Sequence, residues 1–429
     1  MARIQAGTKF PGPPAAGTPG QGPGSAHTPS AIYLDYNATA PLHPAARAPM
    51  LAALEALPGN PSSPHRHGQA ARDALETGRA RLAALLGCSR REVLLTSGGT
   101  EGNNLLLRWL AQEVRAPDGP PHLITTPIEH PSVLRCAEWL AEQGVAVDYL
   151  PVNADGVVQV EAVEGLLRPR TRLVSMMAAN NETGVIQPVA ELVRRVRAAE
   201  QALAGQPAAE CAPRVLIHSD AVQAFGRIPV DVRAWGVDAL TLAAHKLGGP
   251  KGVGAVFLRD GIAVPPLLLG GRQERDRRAG TESVALLAGF VAAAQWALDD
   301  LAAYAARLAD LRDGLIERLR DTQGFFLNGE RAPLVPNTAN LGFAGVPARS
   351  LLVALDLAGV AVSTGSACSS GAIEPSHVLQ AMGLPPERLE ASLRISLGHA
   401  SSPADVERCA VVLRAEVQRL RERGRRAAS

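Results

Sequence analysis

The chain has 429 residues, 46% hydrophobic and 20% charged, with a formal net charge of +2, which is ordinary for a globular protein with two or three domains' worth of core. The weak charge and an aromatic content of 3% argue against nucleic acid as a partner, and no apolar run is long enough to span a bilayer. Five cysteines (Cys88, Cys136, Cys211, Cys368 and Cys409) without a C-x-x-C pair argue against a disulfide framework or a metal site, and a reducing, cytoplasmic setting is expected.

Residues 1–30 are rich in Pro, Gly and Ala, lack the apolar segment of a secretory signal, and read as a disordered tail. From Ile32 to about Leu298, short apolar runs alternate with helical spacing. Strands are predicted at 92–96, 122–126, 146–150, 172–177, 214–220, 238–243 and 254–258, and helices at Gln69–Leu86 and Val189–Ala204. This alternation predicts an α/β fold with a mostly parallel sheet. The stretch 204–214 reads as a surface loop insertion. After Asp299 the pattern changes to a long helix, Leu301–Arg320, then mixed elements and a basic helix, Pro403–Arg423, whose end is expected to fray in solvent. The expected organisation is a large domain, 45–298, and a smaller α+β domain formed by 31–44 with 299–429.

Several polar clusters follow predicted strands, where open α/β sheets bind ligands. "TSGGTEGNN" (96–104) places Gly98 and Gly99 before a helix start at Thr100, a geometry suited to phosphate but equally to a capped turn. It contains neither the Walker nor the dinucleotide-binding glycine pattern. "IEHPSV" (128–133) sets His130 before Pro131, where it can stack on a planar ring, move protons or simply cap a helix. "NNETG" (180–184) crowds amides and a carboxylate at a strand end. Asp220, in "HSDAVQ", is expected to be buried and to need a cationic partner. Lys246, in "AAHKLGGPKG", is a candidate Schiff-base lysine, or else a surface lysine. Together a phosphate cradle, a stacking histidine, a buried aspartate and a lysine are what pyridoxal phosphate requires. Cys368 lies in "STGSACSSGAIEPSHV", a small, polar stretch that reads as a flexible loop.

These motifs, with "YLDYNATAPLHP" (33–44), "GNPSSPHRHG" (59–68), "GGRQERDRRAGTES" (270–283) and "LRISLGH" (393–399), resemble those of the cysteine desulfurases, fold type I pyridoxal-phosphate enzymes of the class V aminotransferase group. The resemblance covers nearly everything after residue 30. It implies that Lys246 binds the cofactor aldehyde and that Asp220 and Gln223 contact the ring. It implies that His130 stacks on the ring and that Gly99, Thr100 and His245 lie at or beside the phosphate. Asn181 and Asn37 would lie near cofactor or substrate, and Arg394 would grip the substrate carboxylate. Thr281 would reach the phosphate of a second subunit, which implies a homodimer. Cys368 would take the sulfur of L-cysteine as a persulfide and pass it to an acceptor for iron–sulfur clusters or thiolated cofactors. Selenocysteine lyase is the nearest alternative; another class V enzyme or a non-catalytic scaffold is more remote. Three residues depart from the family pattern: Ala243 replaces a common phosphate-binding serine, Gly248 a common aromatic, and Arg272 interrupts a glycine triplet.

Overall fold

The computed structural model describes residues 31–114, 119–204, 214–364 and 375–428. The expected tail, most of the 204–214 insertion and the segment carrying Cys368 lie outside the described residues. In chain order the strands are β1 (Ile32–Tyr33), β2 (Val93–Thr96), β3 (His122–Thr125), β4 (Ala146–Tyr149), β5 (Thr171–Ser175) and β6 (Leu216–Asp220). They continue with β7 (Ala239–Ala243), β8 (Gly254–Leu258), β9 (Phe325–Leu327), β10 (Thr338–Phe343), β11 (Val360–Ala361) and β12 (Ser392–Ser396).

The seven predicted strands form one sheet in the order β2-β8-β7-β6-β5-β3-β4, in which only β8 runs against its neighbours. Their continuous apolar runs follow from burial on both faces. Val93, Ile124, Val174, Ile217 and Phe257 face one layer, with Leu82, Leu192 and Phe290 of the covering helices. The alternate residues Leu94, Leu123, Leu173, Leu216 and Val256 face the other, with Leu106, Val133 and Leu140. This period-two exchange fixes the register, because a one-residue slip would swap every side chain between layers.

A second apolar cluster packs β10 and β12 against the helices Leu301–Arg320 and Pro403–Ala428. It takes in Ile32 and Leu34 from the start of the described chain, where β1 pairs in parallel with β11. The C-terminal helix runs past the expected Arg423 to Ala428. Its basic residues hold neighbouring carbonyls: Arg421 Nη2 donates to Gln323 O at 2.7 Å and Ala344 O at 3.0 Å. No single helix among the described residues is long and apolar enough to cross a membrane.

Leu34 ties the N-terminal segment into this C-terminal cluster and is fully buried. Leu34→Ala is therefore expected to cost about 2–5 kcal/mol of stability, read as a lowered denaturation midpoint at unchanged m-value.

Candidate active site

The polar clusters converge at the carboxyl ends of the parallel strands, around a cavity of ≈ 210 Å³ lined in part by Gly99, Thr100, Asn103, His130, Asp220 and Lys246. β2 delivers the chain to the helix Gly99–Arg108, whose first turn has no side-chain cap. Gly98 adopts φ 155°, and a Cβ on the facing Gly254 would lie 2.7 Å from the Gly98 Cα. The close passage of β8 behind the turn thus needs a glycine at 254, while a Cβ on Gly98 would meet open space. Glu101 is drawn away by Arg278, at 2.8 Å, and by the Ser97 N–H, also at 2.8 Å. An uncapped first turn at Gly99 and Thr100 is suited to an anionic group.

Asp220 ends β6 and is buried. Among the described residues the donors to its side chain are neutral: Val222 N–H at 2.9 Å and Asn103 Nδ2 at 2.7 Å. Hydrogen bonds satisfy the carboxylate without cancelling its charge. Asn103 Nδ2 also donates to Ser132 Oγ at 2.8 Å, and Ser132 Oγ lies 2.8 Å from His130 Nδ1. His130 caps the helix Pro131–Glu142 by accepting the Ser132 N–H at Nδ1, 3.1 Å away. A backbone N–H only donates, so the neutral ring carries its proton on Nε2. Burial, and to a lesser degree the charges of Lys246 and His377, pull the His130 pKa down, against the opposing pull of Asp220.

Lys246 follows β7 on a short turn, Ala244–Lys246. Its Nζ donates to Asn37 O at 2.6 Å and Ala38 O at 3.0 Å. Burial first, then the charges of Arg227 and Arg394, bring its pKa down from 10.5 to about 8. The amine therefore reaches its neutral, nucleophilic form near physiological pH. His245 Nδ1 lies 3.2 Å from Thr39 Oγ1, and burial followed by the Lys246 charge lowers its pKa to about 4.

Gln223 lines the cavity and donates from Nε2 to Asn37 O at 3.1 Å. Asn37 approaches by this backbone carbonyl; its side chain is turned into a buried network with Asn337, Thr338 and Asn181 O. The Asn181 carbonyl accepts Arg394 Nη1 at 3.0 Å, while Arg394 Nη2 pairs with Asp35 Oδ1 at 2.6 Å. Arg394 Nε is buried without a hydrogen-bond partner among the described residues. Thr281 stands exposed, away from the residues lining this cavity. Ala243 lines the cavity and adds no hydroxyl. Gly248 has φ 87°, and a Cβ there would approach the His43 Cβ to 3.0 Å, which accounts for a glycine in place of an aromatic. Arg272 is exposed, 3.5 Å from Asp276.

Sequence reasoning did not single out Asn103, Ser132, Asp35 or Arg227. The first three lie inside the motifs it used, and Arg227 lies four residues beyond Gln223. The arrangement suits pyridoxal phosphate: an uncapped anion site, an uncancelled carboxylate and an amine of lowered pKa share one cavity, whose lining Asn103 also has a buried, unpartnered Oδ1.

The family model described as Aminotransferase class-V matches residues 32–409, and the chain belongs to this family of pyridoxal-phosphate-dependent enzymes. Within it the chain groups with the cysteine desulfurases. It is 43% identical over 397 residues to the IscS-like cysteine desulfurase of Mycobacterium tuberculosis, covering 91% of this chain and 97% of that protein. It is 40% identical over 391 residues to the cysteine desulfurase IscS of Dictyoglomus turgidum, covering 91% and 95%. A solved NifS-like protein superposes with a TM-score of 0.82 at 33% identity, covering 91% of this chain and all of that one.

Glu129, next to His130, is fully buried and bonded at Oε1 by Thr126 Oγ1 and Met177 N–H, both at 2.8 Å. Burial raises its pKa from 4.5 to about 8. Between those values the folded chain keeps a proton that the unfolded chain has lost, so stability falls as pH rises through this window. Glu129→Gln removes that dependence. Its stability relative to wild type, measured by denaturation at pH 5 and pH 8, is expected to improve by about 1 kcal/mol or more at the higher pH.

Proposed function

We propose that this chain is a pyridoxal-phosphate-dependent cysteine desulfurase that converts L-cysteine to L-alanine and leaves the sulfur on Cys368. The observation that carries the reading is the convergence of Lys246, Asp220, His130 and the uncapped Gly99–Thr100 turn on one cavity. Lys246 would hold the cofactor covalently. Gly99, Thr100 and His245 would hold or flank its phosphate, and Asp220 and Gln223 would contact its ring. The bound cofactor supplies an electron sink for charge developing at the substrate α-carbon.

The chain's own residues bind, orient and move protons. Arg394 grips the substrate carboxylate, with Asn181 and Asn37 beside it. Lys246, deprotonated near pH 8, is the base for the α-proton. His130 would stack on the ring, and its Nε2 is free to offer a proton. Cys368, as a thiolate, attacks the substrate sulfur: an S–S bond forms, the substrate C–S bond breaks, and the β-carbon takes a proton to give alanine. The persulfide then passes to an iron–sulfur scaffold or another acceptor in the cytoplasm. The protein works as a homodimer in which Thr281 of each copy completes the other's phosphate site. The smaller unit, 31–44 with 299–429, brings Arg394 and Cys368 to the cofactor-binding unit, 45–298.

Release of alanine and sulfide from L-cysteine with dithiothreitol tests the reading. Wild type is expected to turn over. Cys368→Ala is expected to keep its yellow cofactor and lose activity to background. Full cysteine activity in that variant would remove Cys368 as the nucleophile and make selenocysteine the substrate to try.

A further inference from the structure

Arg227 is fully surrounded by protein yet has no carboxylate within ion-pair distance among the described residues. A buried charge without a counter-charge is costly, and such groups normally form pairs. Its partners are instead two parts of the active site. Nη1 donates to the Gln223 carbonyl at 3.0 Å and to Gln223 Oε1, and Nη2 donates to the Lys246 carbonyl at 3.2 Å. We propose that Arg227 is a positioning residue of this site: it fixes the orientation of the Gln223 carboxamide and pins the Lys246 backbone.

A guanidinium has donors only, so Gln223 must present its oxygen to Arg227 and turn Nε2 away. Nε2 then meets Asn37 O at 3.1 Å, the same carbonyl that accepts Lys246 Nζ at 2.6 Å. The four groups close a ring from Arg227 through Gln223, Asn37 O and Lys246 back to Arg227. The ring gives Gln223 a single orientation, with a donor and not an acceptor on the side away from Arg227. It also holds a cation against the Lys246 backbone, close enough for its charge to act on the amine. The other charges acting on that amine are Arg394, which adds to the effect of Arg227, and Asp220 and Asp35, which oppose it; His130 and His245 line the same cavity. Burial with these cations favours the neutral amine.

The inference rests on Lys246 being the cofactor anchor, and its test does not depend on desulfurase turnover. In apoprotein, the pH midpoint of Lys246 reductive methylation, followed by mass spectrometry, is expected near 8 for wild type. In Arg227→Met the midpoint is expected to rise by about one pH unit, and the Kd for pyridoxal phosphate to weaken about tenfold. Arg227→Lys keeps the charge but not the fork. It is expected to hold the wild-type midpoint while binding pyridoxal phosphate several-fold more weakly, and it decides the question alone if the methionine variant does not fold. An unchanged midpoint and Kd in Arg227→Met, or an unchanged Kd in Arg227→Lys, would overturn the proposal. Wild type that binds pyridoxal phosphate but releases no alanine from L-cysteine would defeat the desulfurase reading and leave this comparison standing.

Discussion

The site depends on how one lysine is held. Lys246 Nζ is bonded to the backbone carbonyls of Asn37 and Ala38. Carbonyls orient an ammonium without giving it a full negative counter-charge, so burial and the neighbouring cations set its protonation. Those carbonyls come from the segment after β1, whose Ile32 and Leu34 belong to the C-terminal cluster. Lys246 itself follows β7 of the large sheet. The reactive amine therefore lies where the end of β7 meets a segment anchored in the C-terminal cluster, and the packing of Leu34 bears on the chemistry of Lys246.

The acid lining the same cavity is held differently. Neutral donors bind the Asp220 carboxylate, and the chain Asp220–Asn103–Ser132–His130 continues to the ring nitrogen that fixes the histidine tautomer. Asp220 and the lysine of lowered pKa line one cavity, suited to a ligand with a basic ring nitrogen and an aldehyde.

The fold was legible because its determinants are local. Seven apolar runs, each bounded by helical spacing, became the seven strands of the sheet with ends within two residues of expectation. The antiparallel course of β8 was not legible, since strand direction depends on connections and not on composition. The candidate residues after the strands were legible because sheet topology gathers strand ends. Their hydrogen-bond partners were not. Asn103 looks like a helix residue until Asp220 is seen beside it, and Asp35 is paired with Arg394 across 359 positions of sequence. Nor did the sequence reveal that an amide and a backbone N–H would supply the protein's own hydrogen bonds to Asp220. The basic C-terminal helix continues beyond Arg423 with exposed residues, while Arg421 within it binds the Gln323 and Ala344 carbonyls, a tertiary contact that charge patterning does not reveal.

The central claim is that sulfur leaves L-cysteine onto Cys368. One turnover tests it most directly: pyridoxal-phosphate-loaded protein mixed with one equivalent of L-cysteine without reductant, then mapped by peptide mass spectrometry. One additional sulfur is expected on the peptide carrying Cys368, in step with the alanine released. Alanine formed with no added sulfur on that peptide, or with sulfur on another cysteine, would contradict it.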